Sequence, residues 1–246
     1  SVDYFPRMRH RALDPQLFVE NRARLRERLL PNAVAIVNAN DILPTNADGS
    51  LRLVPNSDLF YLTGVSQEQT ILVLYPDADD EKHREMLFIR ETSDLLATWE
   101  GHKLTQEEAR QVTGIQQVHW LSEFPALFRR VMCEADQVYL NANEHKRAVI
   151  EVETREARFV RWVQEQYPLH EYHRLARVLH RFRAVKSPRE IELITEACAL
   201  TDKGFRRVAR KVKPGISELT IEAEFAHEFI RAGGNFAYTP IIASGA

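Results

Sequence analysis

With 246 residues, the chain suits one large domain or two smaller ones, each able to bury its own core. Hydrophobic residues make up 44% and charged residues 28%, a balance that excludes an intrinsically disordered chain. A net charge of −2 gives no overall pull toward nucleic acid, and no apolar run reaches the roughly 20 residues that span a bilayer. The start, Ser1-Val-Asp-Tyr-Phe-Pro-Arg-Met8, lacks the basic-then-apolar pattern of a secretory leader. Cys133 and Cys198, the two cysteines, fall in helical apolar patterns. They are expected as buried thiols of a reducing compartment, which points to the cytoplasm.

In chain order, Pro15 after Asp14 opens a helix expected to reach Leu30, with its many arginines on the solvated side. Ala33-Val-Ala-Ile-Val-Asn38 reads as a buried strand. Asn56-Ser-Asp-Leu-Phe-Tyr-Leu-Thr-Gly64 places Phe60 and Leu62 on one face of an expected strand, with a tight exit at Gly64. Thr70–Tyr75 and Met86–Ile89, separated by a charged turn, form an expected hairpin. Trp99 falls in an expected loop beside Gly101. Thr105 and Glu108 spell a capping box for a short helix. A helix with Phe124, Leu127, Phe128 and Val131 inward, a strand at Gln137–Asn141 and a long charged helix over 144–166 follow. Strands alternating with helices give an α/β domain with a mixed sheet.

Leu175–Arg183 reads as a short helix inside a stretch, Arg174–Arg189, that carries six cationic side chains and no acidic one. This reads as a connector, with domains expected over 1–173 and 174–246. Ser187, Pro188 and Glu190 then form a capping box with proline at the first helical position. Behind them Ile191, Ile194, Cys198, Thr201 and Phe205 mark one helix face. Ser217 caps a last helix to about Ala232, Gly233-Gly234 ends it, and Tyr238–Ala246 begins an expected strand.

Arg183-Ala-Val-Lys-Ser-Pro-Arg-Glu-Ile191 resembles the segment that opens the catalytic domain of the "pita-bread" metallopeptidases, namely aminopeptidase P, prolidase and creatinase. The Asn56–Gly64 block resembles the aminopeptidase P N-terminal domain, and there a structural role is expected for it. Lys213-Pro-Gly-Ile-Ser-Glu218 and Phe236–Gly245 extend the likeness over nearly the whole chain. The resemblance implies an aminopeptidase P-type N-terminal domain followed by the incomplete start of a pita-bread domain. It also implies hydrolysis at a penultimate proline by two divalent ions, usually manganese, that activate a bridging water. Xaa-Pro dipeptidase activity, or a catalytically dead homologue that binds proteins, are the rivals.

The family's ligands, two Asp, one His and two Glu, fall beyond Ala246, so no catalytic residue and no metal are expected in this chain. His170, His173 and His180 are the nearest alternative donors, but no helical pattern makes them converge. By resemblance, Tyr238 lines the substrate pocket and Trp99 reaches a neighbouring subunit's active site, each offering a flat face to the pyrrolidine ring. Expected partners are peptides with proline second and further copies of the chain, with no nucleic acid and no membrane.

Overall fold

The computed structural model describes residues 12–149 and 151–243. They fall into two compact units, Leu13–Val185 and a second that takes in the chain from Lys186 onward. The strands of the first unit are β1 (Ala33–Asn38), β2 (Ile71–Leu74), β3 (Glu85–Ile89), β4 (Gln117–Trp120), β5 (Gln137–Leu140) and β6 (Glu171–Arg174). Its helices are α1 (Pro15–Arg26), α2 (Ser57–Thr63), α3 (Asp94–Glu100), α4 (Gln106–Thr113), α5 (Phe124–Glu134), α6 (Arg155–Gln166) and α7 (Leu175–Ala184). The strands form one mixed sheet in the order β4-β3-β2-β1-β5-β6. β2 is antiparallel to both β1 and β3, the β2–β3 pair being the expected hairpin, whereas β4, β5 and β6 each join parallel.

Side chains alternate across the sheet and meet helices on both faces. On one face Ala35, Val37, Leu72, Leu74 and Leu87 pack with Leu25, Leu59, Leu62, Ala109, Leu179 and Phe182, which come from α1, α2, α4 and α7. On the other, Val34, Ile36, Val73, Met86 and Phe88 pack with Phe124, Phe128 and Val131 of α5 and Val163 of α6. The unbroken apolar run of β1 follows from its central position, because all six residues are buried.

One arginine of α1 is not on the solvated side. Arg22 is fully buried. It donates to the Leu62 carbonyl at 2.7 Å and the Thr113 carbonyl at 2.9 Å, and its Nε reaches Glu85 at 2.7 Å. Those carbonyls close α2 and α4, so a cation sits where two helix dipoles end. Burial lowers its pKa, partly opposed by Glu85.

Several elements differ from expectation. Asn56–Gly64 is a helix, not a strand. The Asn56 side chain accepts from Asp58 N at 2.9 Å and Leu59 N at 3.1 Å, and Gly64 ends α2 at φ 72°. A Cβ on Gly64 would lie 2.4 Å from the Phe18 ring, so both backbone angle and close approach require glycine. The expected helix over 144–166 begins only at Arg155, where Thr154 accepts from Ala157 N at 3.2 Å. The residues described ahead of it are irregular, and Glu144 is drawn aside to Arg174 at 2.8 Å. Ile150, expected on that helix, lies outside the described residues. α1 stops at Arg26 rather than Leu30. Trp99 is helical, not in a loop. Cys133 and Cys198 are exposed rather than buried. The division falls after Val185 rather than near 174, because α7 buries Leu175, Ala176, Leu179 and Phe182 within the first unit.

The second unit contains α8 (Pro188–Ala209) and α9 (Glu218–Arg231). The Ser187 capping box forms as read: Ser187 Oγ accepts from Glu190 N at 3.3 Å, and Glu190 accepts from Ser187 N at 2.8 Å. Gly204 lets the two helices approach, since a Cβ there would lie 2.7 Å from the Phe225 ring. Arg207 joins them through Glu224 and through Glu228 at 3.0 Å. From Tyr238 to Ala243 the chain is irregular, not the expected strand, and Ser244–Ala246 lie outside the described residues.

Candidate functional site

Parallel strands in α/β sheets present their functional ends at their C-termini, and the first unit gathers buried polar groups there. Asn38 ends β1, and Asn141 follows β5. Glu156, in the first turn of α6, accepts from the Asn38 backbone at 3.0 Å and from its side chain at 2.9 Å. Asn141 donates to Asp58 at 3.0 Å, and Asp58 is ion-paired with Arg183, whose guanidinium also lies 4.8 Å above the Tyr61 ring. Burial pushes the Glu156 carboxyl up to about 7, against the lowering effect of the Asn38 donors. Near neutrality it is therefore about half protonated, where an ordinary carboxyl would be fully ionised. Enclosed as it is, this cluster ties α2, α6 and α7 to the sheet. The two stretches that carry the resemblance thus meet directly, Asp58 from one and Arg183 from the other.

Trp99 stands at the end of α3 and is 83% exposed. Its base is held firmly. Glu100 is clamped by Arg90 at 2.9 Å, which lowers the Glu100 pKa and raises that of Arg90. Arg90 also reaches the buried Glu68 at 3.3 Å, and Lys103 reaches Glu68 at 2.6 Å. Next to it, Gln67 accepts from Leu104 N at 2.8 Å. The sequence reading missed these supports, although Gln67-Glu68 just ahead of a buried strand was a signal. Tyr238, in the second unit, is 78% exposed in the irregular segment after α9. The two aromatics lie in separate units, each open to solvent.

The residues described do not fit a two-metal centre: among them, no group of three or more His, Cys, Asp or Glu could hold an ion. His170 donates to the Met132 carbonyl at 2.7 Å, and His173 stacks on Tyr139 at 4.9 Å. No described helix is long and apolar enough to cross a membrane.

Comparison with known proteins agrees with this architecture. Residues 18–139 match the model of the aminopeptidase P N-terminal domain, and residues 192–246 match metallopeptidase family M24. The chain is 28% identical over 245 residues to Xaa-Pro aminopeptidase of Escherichia coli, covering 94% of this chain and 52% of that protein. A Bacillus anthracis structure, itself assigned only provisionally as an aminopeptidase P, superposes with a TM-score of 0.80 at 27% identity, over 90% of this chain and 52% of that one. E. coli aminopeptidase P with the inhibitor Pro-Leu gives 0.73 at 26% identity, over 91% and 51%. The chain thus spans about half the length of the relatives it matches. The chain thus carries an aminopeptidase P N-terminal domain followed by the start of an M24 metallopeptidase domain.

Proposed function

We propose that this chain is the N-terminal part of a metal-dependent Xaa-Pro aminopeptidase, an enzyme that releases the first residue of peptides with proline in second position. The observation that carries this reading is the order of the two matches: the aminopeptidase P N-terminal model is followed in the same chain by the M24 model, with a fold that superposes over nine-tenths of its length. In the complete enzyme two divalent ions, manganese in this reading, belong to residues outside those described. The 246 residues alone then take up no metal pair and cleave no Xaa-Pro bond.

Trp99 and Tyr238 serve as aromatic walls for the substrate's proline. Trp99 suits that role because its indole is free while its helix is anchored through Glu100 and Arg90. The chain self-associates through the second unit, where Ile191, Ile194, Phe205, Leu219 and Ile230 are all exposed. The test sets this chain beside one extended to its relatives' length, each titrated with manganese and assayed on an Arg-Pro-Pro peptide and an Xaa-Pro dipeptide. Turnover of the tripeptide by the extended chain alone is the expected result. Stoichiometric metal uptake with turnover by the 246 residues, or cleavage of the dipeptide only, overturns the reading.

A further inference from the structure

The acid-free stretch Arg174–Arg189 has no part in the proposed function, and the structure shows what becomes of its cations. Arg174 is paired with Glu144 at 2.8 Å, and Arg183 with Asp58. Arg177 and Arg181, four apart on α7, form no ion pair among the described residues, and both are exposed. Residues at this spacing share a helix face, so their guanidinium groups stand side by side as like charges. With Arg28, just past the end of α1, and Val178, they line a cavity of about 460 Å³.

Arg28 is fixed from behind. Its Nη1 donates to the Arg24 carbonyl at 2.5 Å, and its guanidinium lies 5.4 Å from the Phe182 ring centre. Among the described residues its one ion-pair contact is with Glu27, 3.9 Å away and exposed. Arg24, stacked on the same ring at 5.1 Å, is turned to the Phe182 carbonyl at 2.7 Å. Three cationic forks therefore converge on one recess with an apolar side, in a chain whose net charge is −2.

Guanidinium forks match phosphate oxygens two at a time, and a volume in the range of roughly 300–1,000 Å³ suits a small ligand. One phosphate group cannot occupy three such forks fully, whereas adjacent phosphates can. We propose that the recess formed by Arg28, Arg177, Arg181 and Val178 binds a small organic polyphosphate, a molecule bearing two or more neighbouring phosphate groups. Val178 provides the apolar wall for its organic part.

The test is calorimetric titration of the chain with sodium tripolyphosphate, a nucleoside triphosphate and single-stranded oligonucleotides of increasing length, at about 0.1 M salt, where long-range charge effects are screened beyond ~10 Å. The R177Q/R181Q double variant is compared with R52Q/R210Q, which removes the same charge from two other exposed arginines. Saturation at one tripolyphosphate per chain is expected, weakened about tenfold or more by R177Q/R181Q and less than about twofold by R52Q/R210Q. Both variants should melt as the wild type does, because the substituted side chains are exposed. Absence of saturable binding at millimolar tripolyphosphate, or equal weakening in both variants, would overturn the proposal. So would binding confined to oligonucleotides and growing with their length, since the recess would then be part of a general basic surface.

Discussion

The two units use the same sequence devices with opposite results. In the Leu13–Val185 unit, the apolar faces of α1, α5 and α7 are covered by a sheet, and two continuous cores form. In the second unit α8 is equally well specified, with a complete capping box and proline at its first position, yet little of it is buried beyond Gly204 and Val208. Phe205, on its apolar face, is 61% exposed. Helical periodicity therefore identifies a face, but burial depends on what the rest of the chain supplies to cover it.

Substitutions at four positions sharpen that contrast. Arg22→Met should cost the first unit about 3–5 kcal/mol, because Glu85 and the Leu62 and Thr113 carbonyls lose a buried cationic partner. Chemical denaturation followed by the sheet signal would show it, and a loss below about 1 kcal/mol would mean that the arginine is dispensable. Gly64→Ala should cost about 3 kcal/mol, combining a left-handed backbone angle with a clash against Phe18. Replacement by Asn, which tolerates that angle, still meets the Phe18 ring and should recover only part of the loss.

Third comes the pH dependence. The folded state holds the Glu156 proton up to about pH 7, whereas an unfolded carboxylate releases it near 4.3. Folded protein thus binds more protons between these values. The contribution to stability is complete below about pH 4.3 and is lost as the pH rises toward 7. Glu156→Gln keeps an acceptor for the Asn38 amide but cannot ionise. Its stability should match wild type near pH 4 and exceed it above pH 7, by about 3 kcal/mol. Parallel stability–pH curves for the two proteins would refute this. The smallest effect is expected in the second unit, where Phe205→Ser should change stability by less than about 0.5 kcal/mol while weakening self-association in sedimentation experiments.

What the sequence disclosed follows the range of the interactions involved. The Thr105 and Ser187 capping boxes are settled within four residues, and both form as read. The buried run of β1 and the β2–β3 hairpin likewise announce themselves through continuous apolar character. By contrast, β4 and β6 are short edge strands, Gln117-Val-His-Trp120 and Glu171-Tyr-His-Arg174, half-polar and invisible to a search for apolar runs. In Asn56–Gly64 the alternation of Phe60 and Leu62 reads as a strand, whereas the caps at Asn56 and Gly64 determine a helix. The Asp58–Arg183 pair and the burial of Glu156 depend on residues more than a hundred positions apart, which no local pattern reveals. Trp99 and Tyr238 stand out in the sequence through resemblance alone. Their exposure could not be deduced from neighbouring residues.

The closure of α1 against α7 also has a consequence for biosynthesis. Arg24 holds the carbonyl of Phe182, 158 residues later in the chain. Translation at about 5–20 residues per second separates the appearance of these two groups by on the order of 10 s. The central strand β1 is among the first elements to leave the ribosome, yet its parallel partner β5 and the closing helix α7 are among the last of the unit. Throughout that interval a wholly buried central strand waits without its neighbours on one side. The nascent chain is therefore most dependent on chaperones just before α7 emerges, and the unit can lock before any residue of α8 has left the ribosome.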